Sequence, residues 1–181
     1  TNRKIFTFSV WVKNGKSAGS IIEYNGTGGV TWANISFGGN RIDYFDYSGG
    51  SARIDLRSTA VFRDPSAWYH LVVAMDTTQG TASNRLKFYI NGTQITAFGT
   101  ETYPDQNKEL YWNVGGSYYP WIGRRHGGDY WDGYLAEIVH IDNAQLDPTS
   151  FGEFDSNSPN VWKPIDVSGL TFGTAGYYLD F

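Results

Sequence analysis

The chain has 181 residues, of which 40% are hydrophobic and 18% charged, so it holds enough apolar material for a core and too little charge for a disordered chain. Its net charge is −4 and its 14 lysines and arginines form no basic run, which argues against a nucleic-acid partner. The absence of cysteine excludes disulfides, thiolate zinc sites and a cysteine nucleophile. No apolar run reaches membrane-spanning length, so we expect no membrane insertion.

Strand patterns fill the first third of the chain. Aromatic residues make up 17% of the sequence, and together with 22 glycines they favour strands joined by tight turns. Within residues 5–13, apolar side chains alternate strictly with mostly polar ones, which predicts a strand with one face in the core. The apolar set is Phe6, Phe8, Val10 and Val12. Further strand patterns, separated by turns that contain Gly and Asn, lie at residues 19–24, 30–37, 41–47 and 52–57.

The middle of the chain contains the clearest signals. Residues 67–76 are apolar on both faces, which predicts a strand in a sheet that is covered on both sides. Residues 86–90 and 93–95 flank Asn91-Gly92, and Asn-Gly between two such segments strongly predicts a tight β-hairpin.

The second half of the chain alternates irregular stretches with strands. We expect residues 98–117 to be irregular and residues 118–123 to form a short strand near a sheet edge, because Pro120 interrupts it. The sequence predicts a polar turn at residues 124–129 and a long strand at residues 134–141.

One short helix is predicted near the C-terminal end, with Asp147 as its N-cap and Pro148 as its first residue. Residues 156–164 are expected to form a loop and residues 176–181 a final strand. A single short helix among about a dozen short strands predicts an all-β protein, a two-sheet antiparallel β-sandwich or jelly roll. We interpret residues 1–181 as a single domain taken from a longer polypeptide.

Five segments, in this order, resemble the strands of the concanavalin A-like, laminin-G-like jelly-roll domains. They are Phe6-Thr-Phe-Ser-Val-Trp-Val12, Ala67-Trp-Tyr-His-Leu-Val-Val73, Leu86-Lys-Phe-Tyr-Ile-Asn-Gly92, Ile122-Gly123 and Asp132-Gly-Tyr-Leu-Ala-Glu-Ile138. The resemblance implies a two-sheet sandwich that is often glycan-binding and sometimes calcium-dependent. Because this fold carries many functions, it does not imply one ligand.

A narrower resemblance covers residues 62–70, 147–153, 161–164 and 176–181, which look like the same domains in tail or other virion proteins of tailed phages, especially marine ones. It implies a module of a longer virion protein, located on the virion surface or otherwise outside the cell. Other virion proteins are then candidate partners beside a cell-surface glycan.

Catalytic residues are not expected. Glucanases of this fold carry two carboxylates on one face of a strand, whereas Glu137 and Asp142 are separated by an odd number of residues and face opposite sides of a regular strand. Glu137 is expected to share a face with Leu135, Val139 and Ile141 and therefore to need a polar partner. The three histidines show no metal-ligand spacing. A glycoside hydrolase or lyase of this fold is the third hypothesis.

A cluster of rings and polar side chains marks the candidate ligand site between residues 111 and 131. Flat aromatic rings stack on the C–H faces of sugars, and carboxylate or guanidinium groups bind their hydroxyls. The alternative is that most of these rings are core. The candidate ligand-binding residues are Trp112, Tyr118, Tyr119, Trp121, Arg124, His126, Tyr130 and Trp131.

A turn between two carboxylates, Asp129 and Asp132, is the candidate calcium site, because Ca²⁺ prefers carboxylate and loop carbonyl oxygens. The alternative is that both cap the turn. The leading hypothesis is a lectin-like module that binds a glycan or polysaccharide. The second is a structural or decoration domain that contacts other proteins.

Overall fold

The computed structural model describes residues 2–15, 18–26, 31–114 and 119–181, and of Ala18 and Tyr119 only the backbone. The strands are β1 (Ile5–Asn14), β2 (Ala18–Asn25), β3 (Thr31–Gly38), β4 (Arg41–Ser48), β5 (Ser51–Ser58), β6 (Tyr69–Asp76), β7 (Leu86–Ile90), β8 (Thr93–Ile95), β9 (Phe98–Thr102), β10 (Tyr119–Ile122), β11 (Gly133–Asp142), β12 (Gly152–Asp155), β13 (Ser158–Pro164) and β14 (Tyr177–Leu179). Helix α1 (Ala82–Arg85) precedes β7, and a 3₁₀ helix (Pro148–Ser150) precedes β12.

The strands form two six-stranded antiparallel sheets. Sheet A has the order β14-β11-β1-β6-β7-β8, and sheet B has the order β10-β2-β3-β4-β5-β9. Strands β12 and β13 form a separate two-stranded hairpin. This arrangement confirms the predicted all-β, two-sheet antiparallel sandwich, and it places β10, with Pro120, at a sheet edge as expected.

The core lies between the two sheets and follows the alternation of the sequence. In β1, the side chains of Phe6, Phe8, Val10 and Val12 are fully buried and point to sheet B. Equivalent alternate residues of β3 and β4 point back to sheet A, which gives each sheet one apolar inner face.

Trp112 is a core residue, so its prediction as a rim ligand-binding residue is wrong. Its side chain has no exposed surface, and its ring stacks on Phe6 of sheet A at a centroid distance of 4.7 Å. On the opposite side it contacts Tyr24 and Tyr44 of sheet B, at 4.5 and 6.0 Å. A large flat ring that fills the gap between two sheets contributes by burial and dispersion, so Trp112 joins the two layers.

The chain beyond β11 covers the outer face of sheet A. Phe151 and Val167 pack there against Val72, Val139 and Ile141 in a second buried cluster. This second layer explains why β6 is buried along nearly its whole length, and it confirms that a strand apolar on both faces lies in a covered sheet.

Three sequence expectations differ from the structure. Residues 98–102 form β9 and residues 158–164 form β13, although both were expected to be irregular. Their Gly, Pro and charged residues make weak strand formers, but each pairs at an edge, where a strand needs only one partner. Helix α1 also interrupts the polar stretch before β7, whereas Asp147 caps the 3₁₀ helix as predicted, accepting a bond from the Thr149 amide at 3.0 Å.

Replacing Trp112 by Ala should lower the free energy of unfolding by about 3–5 kcal/mol, because the two sheets cannot move together enough to close the cavity that the missing ring leaves between them. Trp68→Ala, at a ring that is 40% exposed, is the matched control and should cost less, about 1 kcal/mol. Urea unfolding measures both. An equal, small effect of the two substitutions would contradict the core position of Trp112.

Candidate functional site

Sheet B presents a polar and aromatic surface on the side that faces away from sheet A, which we call the open face. One row across it consists of Trp121, Glu23, Asn34, Phe45 and Asp55, each opposite the next in neighbouring strands. The rows on either side are Asn25, Trp32 and Tyr47, and Ser20, Ser36, Asp43 and Arg57. The pairing of the strands therefore places rings, amides, hydroxyls and charges side by side.

Three rings of the open face form an aromatic platform, consisting of Trp32, Phe45 and Tyr47. Trp32 and Phe45 stack with centroids 4.8 Å apart and an interplanar angle of 24°. Tyr47 lies 6.1 Å from Trp32 at 28° and 6.2 Å from Phe45 at 16°. All three side chains are partly exposed. Because Trp32 and Phe45 stack on one another, the platform offers a ligand the ring edges and those ring faces that are not stacked, rather than one flat surface.

The loop of residues 123–131 lies over one end of the open face. It is closed by a bridge between Arg124 and Tyr130 and by a hydrogen bond from the Arg125 amide to the Asp129 carbonyl at 2.8 Å. Its tip carries two glycines, Gly127 and Gly128, with φ of 93° and 102°, where a residue with a Cβ would be strained.

A buried carboxylate attaches this loop to the sheet. Glu23 is only 1% exposed, and its Oε1 accepts hydrogen bonds from Asn25 Nδ2 at 2.9 Å and from the His126 amide at 3.1 Å. Its Oε2 lies 3.8 Å from Nε of Arg125, whose guanidinium also lies 5.2 Å from the ring centroid of Trp32. These bonds compensate the cost of burying the carboxylate and fix the loop against the platform.

Two pockets open where the loop meets the open face. The first, of about 230 Å³, is lined by Gly19, Ser20, Asn34, Ser36, Phe37, Gly38, Asp43, Arg125, Asp129 and Tyr130. The second, of about 180 Å³, is lined by Glu23, Asn25, Trp32, Arg125 and His126. Burial raises the pKa of Asp43 to about 6, and the neighbouring Asp55 adds to this shift while Arg57 opposes it.

Four of the predicted ligand-binding residues lie together on or beside this loop. Trp121 has the guanidinium of Arg124 4.7 Å from its ring centroid and stacks with His126 at 5.8 Å and 14°. Tyr130 is 56% exposed and lines the larger pocket. Because Arg124 and His126 already lie against Trp121, we expect this ring to hold the loop in place more than to stack on a sugar.

The remaining predicted residues divide between core and undescribed positions. Trp131 is half-buried and packs edge-to-face on Phe37 at 5.8 Å, so its ring faces the core. Tyr118 lies outside the described residues, and the side chain of Tyr119 is likewise not described.

The turn at Asp129 and Asp132 does not fit a calcium ion well. Asp129 is exposed and its carboxylate lies 3.5 Å from the Arg125 guanidinium, while the Asp132 carbonyl accepts a hydrogen bond from the Gly15 amide. Within the described ranges, no group of three or more His, Cys, Asp or Glu could hold a metal ion. Two carboxylates, one of them paired with arginine, lack the oxygen-rich shell that Ca²⁺ prefers.

The two carboxylates of β11, Glu137 and Asp142, accept hydrogen bonds from other residues of the protein. The register of β1 and β11 shifts between Ser9 and Trp11, and Glu137 adopts a φ of 49° in this bulge. Leu135 consequently points into the core while Glu137 points to the other side, so the expectation that the two share a face is wrong. Glu137 accepts a hydrogen bond from Tyr178 at 2.6 Å, which confirms that it is paired.

Both buried histidines accept a hydrogen bond from a tryptophan indole. Trp162 donates to Nδ1 of His70 at 2.8 Å, and Trp112 donates to Nε2 of His140 at 3.0 Å. Burial lowers the pKa of His70 to about 3 and that of His140 to about 4, so both rings are neutral at neutral pH. They are core residues.

The aromatic platform and the Asp43 carboxylate were not among the ligand-binding residues predicted from the sequence. The signal was present in residues 41–48, where Phe45 and Tyr47 share a phase with Asp43, while Ile42 and Tyr44 share the other. Rings that alternate in phase with a charged residue face solvent rather than the core.

The chain belongs to the laminin G-type concanavalin A-like lectin/glucanases superfamily, whose family model matches residues 1–148. No curated protein matches the sequence. Domains LG4-5 of the mouse laminin α1 chain are similar in structure, with a TM-score of 0.54 and 12% identity over 97% of this chain and 40% of that chain.

Two further structures are similar at lower coverage. The LG1-3 region of the laminin α2 chain has a TM-score of 0.50 and 13% identity over 81% of this chain and 29% of that one. Trypanosoma rangeli sialidase in complex with sialic acid has a TM-score of 0.49 and 17% identity over 81% and 22%. At these identities the laminin structures show only that the fold is shared.

Membrane-spanning helices are not found: no helix in the described part of the chain is both long and apolar enough to cross a bilayer.

Replacing Glu23 by Ala should lower the free energy of unfolding by about 1–3 kcal/mol, because the Asn25 and His126 N–H groups lose their acceptor. It should also speed amide hydrogen exchange at His126. The control Glu153→Ala removes an exposed carboxylate 3.3 Å from Lys163 and should cost less than about 1 kcal/mol. Unchanged exchange at His126 would contradict the attachment of the loop by Glu23.

The two buried histidines should be opposite neutral tautomers. Because Trp162 donates to Nδ1, His70 carries its proton on Nε2; because Trp112 donates to Nε2, His140 carries its proton on Nδ1. Nitrogen-15 NMR of the imidazoles should show both tautomers persisting to about pH 5, since each folded pKa is depressed below 6.5. A protonated ring at about pH 6, or identical tautomers, would contradict these hydrogen bonds.

Proposed function

We propose that this domain is a carbohydrate-binding, lectin-like module, and that the glycan binds on the open face beside the 123–131 loop. The observation that carries the proposal is the aromatic platform of Trp32, Phe45 and Tyr47 next to a pocket with polar walls. Sugar rings combine apolar C–H faces with hydroxyl groups, so they match a surface that offers both flat rings and hydrogen-bonding groups.

The polar groups beside the platform are of the kinds that bind hydroxyls. Asp43 offers a carboxylate and Ser36 a hydroxyl along the wall of the larger pocket, whereas the Asn34 amide there already donates to Ser20 and Ile22. Ligand sites are typically concave and carry a few positioned polar groups. The superfamily description, which names lectins and glucanases, supports the same ligand class.

The module acts outside the cell, on a virion surface or in a secreted multi-domain protein, and is not an enzyme. The resemblance of several segments to phage tail domains supports this setting. The carboxylates on β11 do not support hydrolysis, because Glu137 bonds to Tyr178 and Asp142 accepts the amides of Asn2 and Ala175.

A structural role in contact with other proteins is the second candidate function, and exposed apolar side chains outside the open face favour it. Trp68 and Tyr134 are 40% and 67% exposed, with ring centroids 6.4 Å apart. Phe154 and Val161, on the β12–β13 hairpin, are 51% and 52% exposed. Exposed rings of this kind are enriched in protein interfaces.

A glycan array that includes bacterial surface polysaccharides should show binding by the unchanged protein. Trp32→Ala and Phe45→Ala should each weaken binding about tenfold, because each removes a stacking surface worth about 1 kcal/mol or more. Trp68→Ala, on the other exposed aromatic surface, is the matched control and should bind normally. The structural, protein-binding role is favoured if no glycan binds and Trp68→Ala abolishes capture of a purified virion protein.

A further inference from the structure

Asp43 occupies an unusual position in the larger pocket. It lies on β4 between Ser36 of β3 and Arg57 of β5, and its carboxylate lies against the backbone of Gly38. A Cβ at residue 38 would collide with the carboxylate, so this position needs glycine for the side chain to lie as it does. The carboxylate therefore occupies space that Gly38 leaves open at the pocket wall.

Two of the arginines near Asp43, Arg57 and Arg125, are engaged with other carboxylates. Arg57, its direct neighbour in the register, bonds to Asp55 with both Nε and Nη2, at 2.7 and 2.9 Å. Arg125, on the opposite wall, lies 3.5 Å from Asp129 and 3.8 Å from Glu23. Across residues 2–15, 18–26, 31–114 and 119–181, no hydrogen bond or ion pair to Asp43 is found.

A half-buried carboxylate without a donor retains unused acceptor capacity. Leaving such a group unpaired is unfavourable, and a donor supplied by a ligand removes the cost. The charged groups that face it are Arg41 on its own strand, Asp55 and Arg57 on β5, and Arg125 and Asp129 on the loop. Strand β3 contributes only uncharged residues at this point, Ser36 and Gly38.

We infer that Asp43 is the specificity-determining acceptor of this pocket, binding two neighbouring free hydroxyls of a terminal sugar ring and releasing the sugar in mild acid. The inference rests on the proposed function. The pocket, at about 230 Å³, is smaller than the about 300–1,000 Å³ typical of drug-sized ligands, which fits one ring rather than a chain. The adjoining platform would take the next sugar.

The acid sensitivity follows from the same geometry. A carboxylate accepts from two hydroxyls at once, whereas a protonated carboxyl accepts more weakly and donates its own proton. Because burial raises the pKa of Asp43 to about 6, the charge is lost within the mildly acidic range. Binding that requires the ionised form should weaken about tenfold between about pH 7.5 and about pH 5.

Methyl glycosides of mannose, galactose, glucose and rhamnose are the probes, titrated into nitrogen-15-labelled protein and followed by NMR. At least one should shift amides of the pocket at about pH 7.5. Asp43→Asn should weaken its binding about 10- to 100-fold and abolish the pH dependence. Asp105→Asn, at an exposed carboxylate outside the pocket lining, should bind like the unchanged protein.

The outcomes separate the inference from the proposed function. If a glycoside binds the pocket but Asp43→Asn binds equally well, or the pH dependence is absent, the role of Asp43 is overturned and glycan binding stands. If only longer glycans bind on the array, the terminal-ring pocket is overturned. If no glycan binds in either experiment, the proposed function is overturned together with the inference.

Discussion

The outer faces of the two sheets differ in polarity, and this difference decides where the rest of the structure can go. Val72, Val139 and Ile141 make the outer face of sheet A apolar, so it must be covered. Phe151 and Val167 of the C-terminal segment provide the cover. The outer face of sheet B carries charged, amide and aromatic side chains, so the part of it that the 123–131 loop leaves uncovered is stable in contact with water.

Residues on paired strands are held in defined positions by the hydrogen bonds of the sheet. The open-face residues are fixed by strand register, and the 123–131 loop is fixed to them by the buried Glu23 carboxylate. A loop held in this way is pre-organised, so a ligand need not supply the free energy of ordering it. The same carboxylate keeps Arg125 over Trp32, which joins the polar wall of the pocket to the aromatic platform.

The sequence predicts the fold well because its strands follow a simple alternation. Phe6 to Val12 alternate as expected, and residues 67–76 show their two-sided burial in the sequence itself. The position of Trp112 could not be predicted, because it lies outside any strand, where no periodicity tells core from rim. The bulge at Glu137 is equally hidden, since it depends on the register with a strand over a hundred residues away.

Only those residues of the candidate site that are close together in the sequence could be predicted. Arg124, His126 and Tyr130 are close in sequence and cluster locally, so composition alone identified them. The platform joins residues of β3 and β4, and the pocket adds β2 and the distant loop, so both exist only after the strands pair. Alternation within β4 indicates which rings face outward, but not which neighbours they meet.

The central claim is that glycan binds the open face of sheet B, and the indole N–H signals of the seven tryptophans report on it directly. Nitrogen-15 NMR during titration with an array-selected glycan would follow them together. The account predicts that the indole of Trp32 shifts with saturation while those of Trp68 and Trp162 do not. Saturable shifts confined to Trp68, with Trp32 unaffected, would contradict it.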